Sequence, residues 1–101
     1  MSLTSPIPKA IRERLNEDPF MKDCCIADSW CEGKIEWHHA LQYAGKRVNE
    51  WWCILPLCQK HHRSEASNRL AITKVMCKRA SSEDLAKYSK AIDYVAIKKK
   101  I

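Results

Sequence analysis

Residues 35–62 read IEWHHALQYAGKRVNEWWCILPLCQKHH, and this stretch decides the fold expected for the chain. Two adjacent histidine pairs, His38-His39 and His61-His62, lie near its ends, with Asn49 between them and Cys58 just before the second pair. All four histidines of the chain are in these pairs. Imidazole and thiolate groups are the ligands that zinc and related ions prefer. The stretch therefore predicts a site built on metal chemistry.

The elements around these histidines are predicted from periodicity. Alternating apolar and polar residues predict a strand over Ile35–His38, and large apolar residues predict a second strand over Trp51–Leu55, which Pro56 would end or border. Ala44–Arg47 is a turn-like basic loop, and a helix is expected from Gln59 to Arg79. The expected buried side of that helix is Ala66, Leu70, Ile72 and Met76.

Two further helices are expected outside this region. The first begins at Ser5-Pro6, ends at Asp18-Pro19 and covers about residues 5–17. Residues 20–33 predict an irregular loop, and Ser81–Asp84 predict the start of a helix over about 82–98. The expected inner faces are Ile7, Ala10, Ile11 and Leu15 in the first helix, and Leu85, Tyr88, Ile92 and Val95 in the second. With 101 residues, the prediction is one α+β domain whose core covers about residues 20–80.

The six cysteines allow either disulfides or a metal site. No hydrophobic signal stretch follows Met1, and no apolar run approaches the roughly 20 residues that cross a bilayer. A reducing cytoplasmic location is therefore expected, without membrane association, and there clustered cysteine and histidine residues more often bind metal than form disulfides.

The spacing of these residues predicts a structural zinc site. Cys58 and His61 are one closely spaced pair, and Cys31 is the expected downstream member of the other pair. Its upstream member is Cys24 or Cys25. Cys24 is slightly favoured, because Cys25-Ile26 would then be an apolar pair that turns inward. Two remaining cysteines are expected to be buried structural thiols, namely Cys53 and Cys77.

These residues resemble the HNH endonuclease family, the ββα-metal nucleases, and especially its small phage and prophage members. The similar region runs from about Cys24 to Arg63. The resemblance implies that His38 and His62 bind a catalytic divalent ion, that His39 is the general base, and that Asn49 orients the base. Two positions depart from the family pattern: His61 replaces the usual last cysteine of the zinc site, and Asn49 lies nine residues before Cys58.

The resemblance implies a metal-dependent enzyme that hydrolyses DNA phosphodiester bonds to a 5′-phosphate and a 3′-hydroxyl. The implied cofactors are structural Zn²⁺ and catalytic Mg²⁺, Mn²⁺ or another divalent ion such as Ni²⁺ or Zn²⁺. The implied setting is the cytoplasm of a bacterial host, with the protein encoded by a phage or prophage and acting as a monomer or homodimer.

The charge of the chain agrees with a polyanionic partner. The formal net charge is +6 and the sequence pI is about 9.1. The expected phosphate contacts are Lys46, Arg47, Arg63, Arg69 and the lysine-rich end of the chain. The alternative function is a zinc-stabilised nucleic-acid-binding module without catalysis, and a third is a zinc-scaffolded protein-interaction domain. Neither alternative accounts for His39 and His62.

Overall fold

The computed structural model describes residues 7–26, 30–90 and 92–101, and in these ranges the chain forms an α+β arrangement of helices and two small sheets. The α+β class expected from the sequence is therefore confirmed. In chain order the elements are α1 (Lys9–Glu17), a 3-10 helix (Pro19–Lys22), β1 (Ile35–His39), β2 (Gln42–Tyr43), β3 (Lys46–Arg47), β4 (Ile54–Cys58), α2 (Gln59–Arg63), α3 (Arg69–Arg79), α4 (Ser82–Ala86) and α5 (Tyr94–Lys99).

Strands β1 and β4 pair antiparallel, and every residue of β4 is buried. The strand covers Ile54–Cys58 rather than the predicted Trp51–Leu55, since residues 51–53 form a turn in which the Cys53 N–H donates to the Glu50 carbonyl. Pro56 does not end the strand but lies in its middle, opposite Trp37. Its carbonyl accepts a hydrogen bond of 2.9 Å from the Cys25 N–H. In a strand, the N–H and C=O of one residue point the same way, so the missing N–H costs β1 no ladder bond.

The predicted basic loop at Ala44–Arg47 is a small hairpin instead. Strands β2 and β3 pair Gln42 with Arg47 and Tyr43 with Lys46. Ala44 and Gly45 form the turn, with φ of 54° and 78°. Positive φ at both turn residues is what a two-residue hairpin with right-handed twist requires. Lys46 and Arg47 are therefore strand residues with exposed side chains, and not loop residues as predicted.

The helix predicted over 59–79 is divided into α2 and α3 by turn residues 64–68. Local hydrogen bonds account for the division, since Ser64 Oγ donates to the Lys60 carbonyl and Asn68 Nδ2 donates to the Ser64 carbonyl. Ile72 and Met76 are buried as predicted. The prediction was wrong for Ala66 and Leu70, which are exposed.

The outer helices are also shorter than predicted. α1 begins at Lys9, after Pro8, and its Ala10 is exposed; Ser5 and Pro6 lie outside the described residues. The predicted helix over 82–98 is two helices, α4 and α5. Between them, Ser89 Oγ donates to the Leu85 carbonyl and accepts from the Tyr94 N–H. The start of α4 is confirmed, because the Ser81 side chain accepts from the Asp84 N–H. Ile92 is 49% exposed, contrary to the prediction.

The core lies on both sides of β4. Leu55 and Leu57 belong to the larger buried cluster, together with Trp52, Met76 and Leu85. Ile54 packs in a second cluster with Leu15 and Met21, so α1 and the 3-10 helix close this part of the molecule. β4 is thereby held on both faces, and the β1 histidines and helix α2 are held beside it. In the described ranges, no helix is long and apolar enough to cross a membrane.

Candidate metal centres and the cleft beside them

Four side chains that are far apart in the sequence meet at the junction of β4 and α2. The Sγ atoms of Cys24, Cys31 and Cys58 lie 3.5, 3.5 and 3.1 Å from Nδ1 of His61. We call these four residues the Cys₃His cluster; their ligand atoms all lie within 4.8 Å of one another. The cluster could hold a metal ion such as zinc.

The donor set and its spacing fit tetrahedral zinc. With Zn–S and Zn–N bonds of about 2.3 and 2.1 Å, neighbouring sulfur and nitrogen ligands are about 3.6 Å apart. The observed separations of 3.1 to 3.5 Å are close to this value. Burial raises the pKa of Cys58, but hydrogen bonds, first that from the His61 N–H, outweigh it and lower this pKa to about 6. A thiolate is thereby favoured at Cys58, as zinc coordination requires.

Local hydrogen bonds bring the loop cysteines to this junction. Cys58 is the N-cap of α2, and its sulfur accepts from the His61 N–H at 3.4 Å. The Lys60 N–H donates to the Glu32 carbonyl, which fixes the segment after Cys31. Gly33 continues this segment with a φ of +88°, and a Cβ there would lie 2.8 Å from Cβ of Gln59. Glycine is therefore needed where the loop passes α2.

Among the described residues, Cys24 belongs to the cluster and Cys25 does not. Cys25 is half-buried and packs against the core beside Ile26, in agreement with the inward-facing apolar pair expected from the sequence. Burial raises its pKa to about 12. Cys53 and Cys77 are completely buried free thiols, as predicted. The Cys53 thiol donates to the carbonyls of Val48 and Glu50.

A second group of potential ligands lies next to the first, on β1, in α2 and in the turn after α2. The ring centroids of His38 and His62 are 5.2 Å apart, and Nδ1 of His38 is 2.9 Å from a carboxylate oxygen of Glu65. We call His38, His62 and Glu65 the histidine cluster; their ligand atoms also lie within 4.8 Å of one another. Nδ1 of His62 donates to Glu36 at 2.8 Å.

The two carboxylates and the burial of His38 set the charge of this cluster. Burial lowers the pKa of His38; Glu65 opposes this effect, whereas His62, His39 and Arg47 add to it. The net result favours the neutral imidazole, which is the form that binds metal. The hydrogen bond from His62 lowers the pKa of Glu36, which therefore remains an anionic acceptor.

His39 is the last residue of β1, and its side chain has different partners from that of His38. Its Nε2 donates to Oδ1 of Asn49 at 2.9 Å. His38 contacts Glu65, whereas His39 contacts Asn49, so the two adjacent imidazoles have different partners. Because Nε2 carries the proton in the neutral ring, Nδ1 is left as a proton acceptor. The predicted partnership of His39 and Asn49 is therefore present as a hydrogen bond.

His38 and His39 both line a cleft of about 320 Å³. Its other walls come from β2, the turn before α3, α3 itself and the start of α5. They include Glu65, Arg69, Thr73 and Tyr94. The cleft thus brings a potential metal ligand, a proton acceptor and a guanidinium group to one concave surface.

The four predicted phosphate contacts are all exposed but are not gathered in one place. Arg69 lines the cleft, Lys46 and Arg47 lie on the β2–β3 hairpin, and Arg63 lines a separate surface depression beside Gly33 and Gln59. Of the lysine-rich end, Lys98 is half-buried and its Nζ donates to the Cys77 carbonyl. This contact gives Lys98 a structural role.

The sequence reasoning missed both carboxylates of the histidine cluster. Glu65 follows His62 by three residues and Glu36 precedes His38 by two, spacings that place side chains on the same side of a helical turn and of a strand, respectively. These spacings indicate carboxylates on the same side as a histidine, but they do not indicate that Glu36 contacts His62 or that Glu65 contacts His38.

Comparison with protein-family models, with curated proteins and with solved structures finds no match for this chain.

Proposed function

We propose that the protein is a metal-dependent HNH endonuclease that hydrolyses DNA phosphodiester bonds. His39 acts as the general base, and His38 and His62 hold a divalent ion. One observation carries the proposal: the His38–His62 pair, with ligand atoms within 4.8 Å, lies beside an imidazole that is oriented by Asn49. A domain that only binds nucleic acid has no use for a second group of metal ligands next to a free imidazole nitrogen.

The geometry suits the chemistry of phosphodiester hydrolysis. A divalent ion at the histidine cluster would supply charge neutralisation at the phosphate and at the departing oxygen. Asn49 holds the His39 ring so that Nδ1 can take the proton of the attacking water. Arg69 lies on the wall of the same cleft and can pair with the phosphate. The net charge of +6 favours association with a polyanion.

A plasmid-nicking assay tests this function. Supercoiled DNA is incubated with the zinc-loaded protein and Mg²⁺, Mn²⁺ or EDTA, beside His39→Ala prepared in the same way. We expect nicking with an added ion, none with EDTA, and a loss of about 10² to 10⁴-fold in the variant, which is the usual contribution of a general base. DNA affinity and zinc content of the variant should be unchanged, because His39 is outside both groups of ligands.

The same assay separates the enzyme from the alternative of a binding module. Glu13→Gln is the matched control for preparation, since Glu13 is an exposed α1 residue paired only loosely with Lys9, at 3.9 Å. Equal nicking by wild type and His39→Ala would point to a contaminant or to another base. DNA binding without nicking under any ion would reject the enzyme and favour the binding module.

A further inference from the structure

The two carboxylates that contact the histidines of the cluster stand in different relations to it. An oxygen of Glu65 lies within 4.8 Å of the ligand atoms of both His38 and His62. Glu36 contacts His62 at 2.8 Å and is not a member of the group. Glu65 is therefore close to both imidazoles, whereas the contact of Glu36 is with His62.

From this difference we propose that Glu65 is a third protein ligand of the divalent ion, and that Glu36 is a positioning residue that orients His62. The inference rests on the proposed metal site but not on the cleavage of DNA. It changes the site from two neutral imidazoles to two imidazoles and one carboxylate.

The distance between Glu65 and His38 supports direct coordination. Neighbouring ligands in an octahedral shell with bonds of about 2.1 Å are about 3.0 Å apart. The Glu65 oxygen lies 2.9 Å from Nδ1 of His38, so both atoms can belong to one shell without movement of the backbone. The adjoining cleft leaves room for water and a phosphate oxygen in the other positions.

The contact of Glu36 fits a supporting role. Nδ1 of His62 donates to Glu36, which leaves Nε2 with the lone pair that binds a metal. Carboxylates that accept from a metal-binding histidine hold the ring in position in this way. Both side chains are about half exposed, 48% for Glu65 and 45% for Glu36, and solvated ion pairs add little to stability. Ligand binding is therefore a better account of Glu65 than folding is.

The third ligand has a consequence for the choice of ion. Oxygen ligands favour Mn²⁺ and Mg²⁺, whereas sites built from imidazole alone favour Ni²⁺, Cu²⁺ and Zn²⁺. Glu65 thus shifts the preference of this site toward the harder ions. The Cys₃His cluster next to it keeps its preference for zinc, because its donors are thiolates and an imidazole.

Calorimetric titration of the zinc-loaded full chain with Mn²⁺ tests the assignment, since Mn²⁺ does not compete for thiolate ligands. Glu65→Gln should weaken Mn²⁺ binding by at least about tenfold, the lower end of what is lost at supporting positions of metal sites. Glu36→Gln keeps an oxygen acceptor for His62 and should weaken binding less. Glu65→His should lower the affinity for Mn²⁺ while retaining that for Ni²⁺. Glu13→Gln removes the same charge from α1 and should bind as the wild type does.

The outcomes distinguish this inference from the proposed function. Wild-type affinity for Mn²⁺ in Glu65→Gln, or no Mn²⁺ binding by the wild type, would overturn the ligand assignment. If Glu65→His loses affinity for Mn²⁺ and Ni²⁺ to the same extent, the ligand assignment is also overturned. If Mn²⁺ binding depends on Glu65 but no plasmid is nicked, the ligand stands and the nuclease is rejected. If Glu65→Gln melts at the wild-type temperature in the absence of Mn²⁺, its weaker Mn²⁺ binding is not caused by a loss of folding.

Discussion

At the scale of single residues, neighbours in the sequence have separate tasks. Cys24 belongs to the Cys₃His cluster, while Cys25 packs toward the core and its N–H ties the loop to Pro56. His38 meets His62, while His39 meets Asn49. In both pairs, one residue belongs to a group of potential metal ligands and its neighbour of the same type does not.

The first residue pair yields a prediction about zinc. Cys24→Ser should lose zinc, and its melting temperature should fall by more than about 10 °C. In a small domain, a decrease of about 2 kcal/mol in the free energy of unfolding already causes a shift of roughly this size. Cys25→Ser should retain one zinc per chain. Native mass spectrometry measures the zinc, and circular dichroism follows the melting. Zinc retained by Cys24→Ser and lost by Cys25→Ser would reverse the assignment.

At the scale of elements, side-chain bonds at helix ends determine where the chain turns. Asp18 ends α1 and caps the 3-10 helix by accepting from the Phe20 N–H at 3.0 Å. Its other oxygen accepts from Arg79 at 2.7 Å, at the end of α3. The Arg79 guanidinium also stacks on Phe20, with 4.0 Å to the ring centroid. One carboxylate thus connects the N-terminal elements to α3.

The Asp18 connection predicts a pH-dependent stability. The hydrogen bond from Arg79 holds the pKa of Asp18 below its usual 3.8. A lowered folded-state pKa stabilises the fold above the unfolded pKa, and the contribution is lost as the pH falls through the folded pKa. Asp18→Asn should therefore lower the free energy of unfolding by about 1 kcal/mol at pH 7. This value is low for a charged hydrogen bond, because the Asp18–Arg79 pair is partly solvated.

Urea unfolding measures this difference. The difference in the free energy of unfolding between wild type and Asp18→Asn should stay constant between pH 7 and pH 5 and should decrease below a pH of about 3.8. Glu13→Gln provides the comparison, because its exposed pair with Lys9 contributes little at any pH. A gap that widens as the pH falls would contradict the assignment.

At the scale of the whole molecule, the Cys₃His cluster joins parts of the chain that are distant in sequence. Cys24 and His61 are 37 residues apart, and the paired strands β1 and β4 lie between them in the sequence. An ion held there would restrict the unfolded chain strongly, since closing a long loop is costly in entropy. The histidine cluster uses the same framework, because β1 and α2 also carry His38 and His62.

The distribution of charge predicts how DNA binding depends on salt. If Lys46, Arg47, Arg63 and Arg69 each neutralise one phosphate, the logarithm of the association constant should fall with that of the salt concentration at a slope of about −3.6 for duplex DNA. Lys46→Ala with Arg47→Ala should make the slope shallower by about two. Lys74→Ala with Lys78→Ala, both exposed on α3, should leave it unchanged. Fluorescence anisotropy measures the binding, and a flat response would reject phosphate contacts.

Part of the fold and of the candidate metal site was predicted from the sequence alone. The α+β class, two strands near the histidines and a Cys₃His set with Cys24 or Cys25 as its first member were predicted from residue type and spacing, because ligand chemistry and strand alternation are local properties. The ends of elements were predicted less well. Trp52 is buried in a turn, and the helix predicted over 59–79 is broken by side-chain bonds of Ser64 and Asn68.

Only the tertiary structure decided which carboxylates approach the histidines. Glu65 meets His38, which is 27 positions away in the sequence, and Glu36 meets His62 across β1 and α2. Such contacts depend on how the β1–β4 pair carries α2 back over β1, and no local pattern encodes that path. The residue types and spacing therefore indicated a metal site, while the packing determined which carboxylates lie beside its histidines.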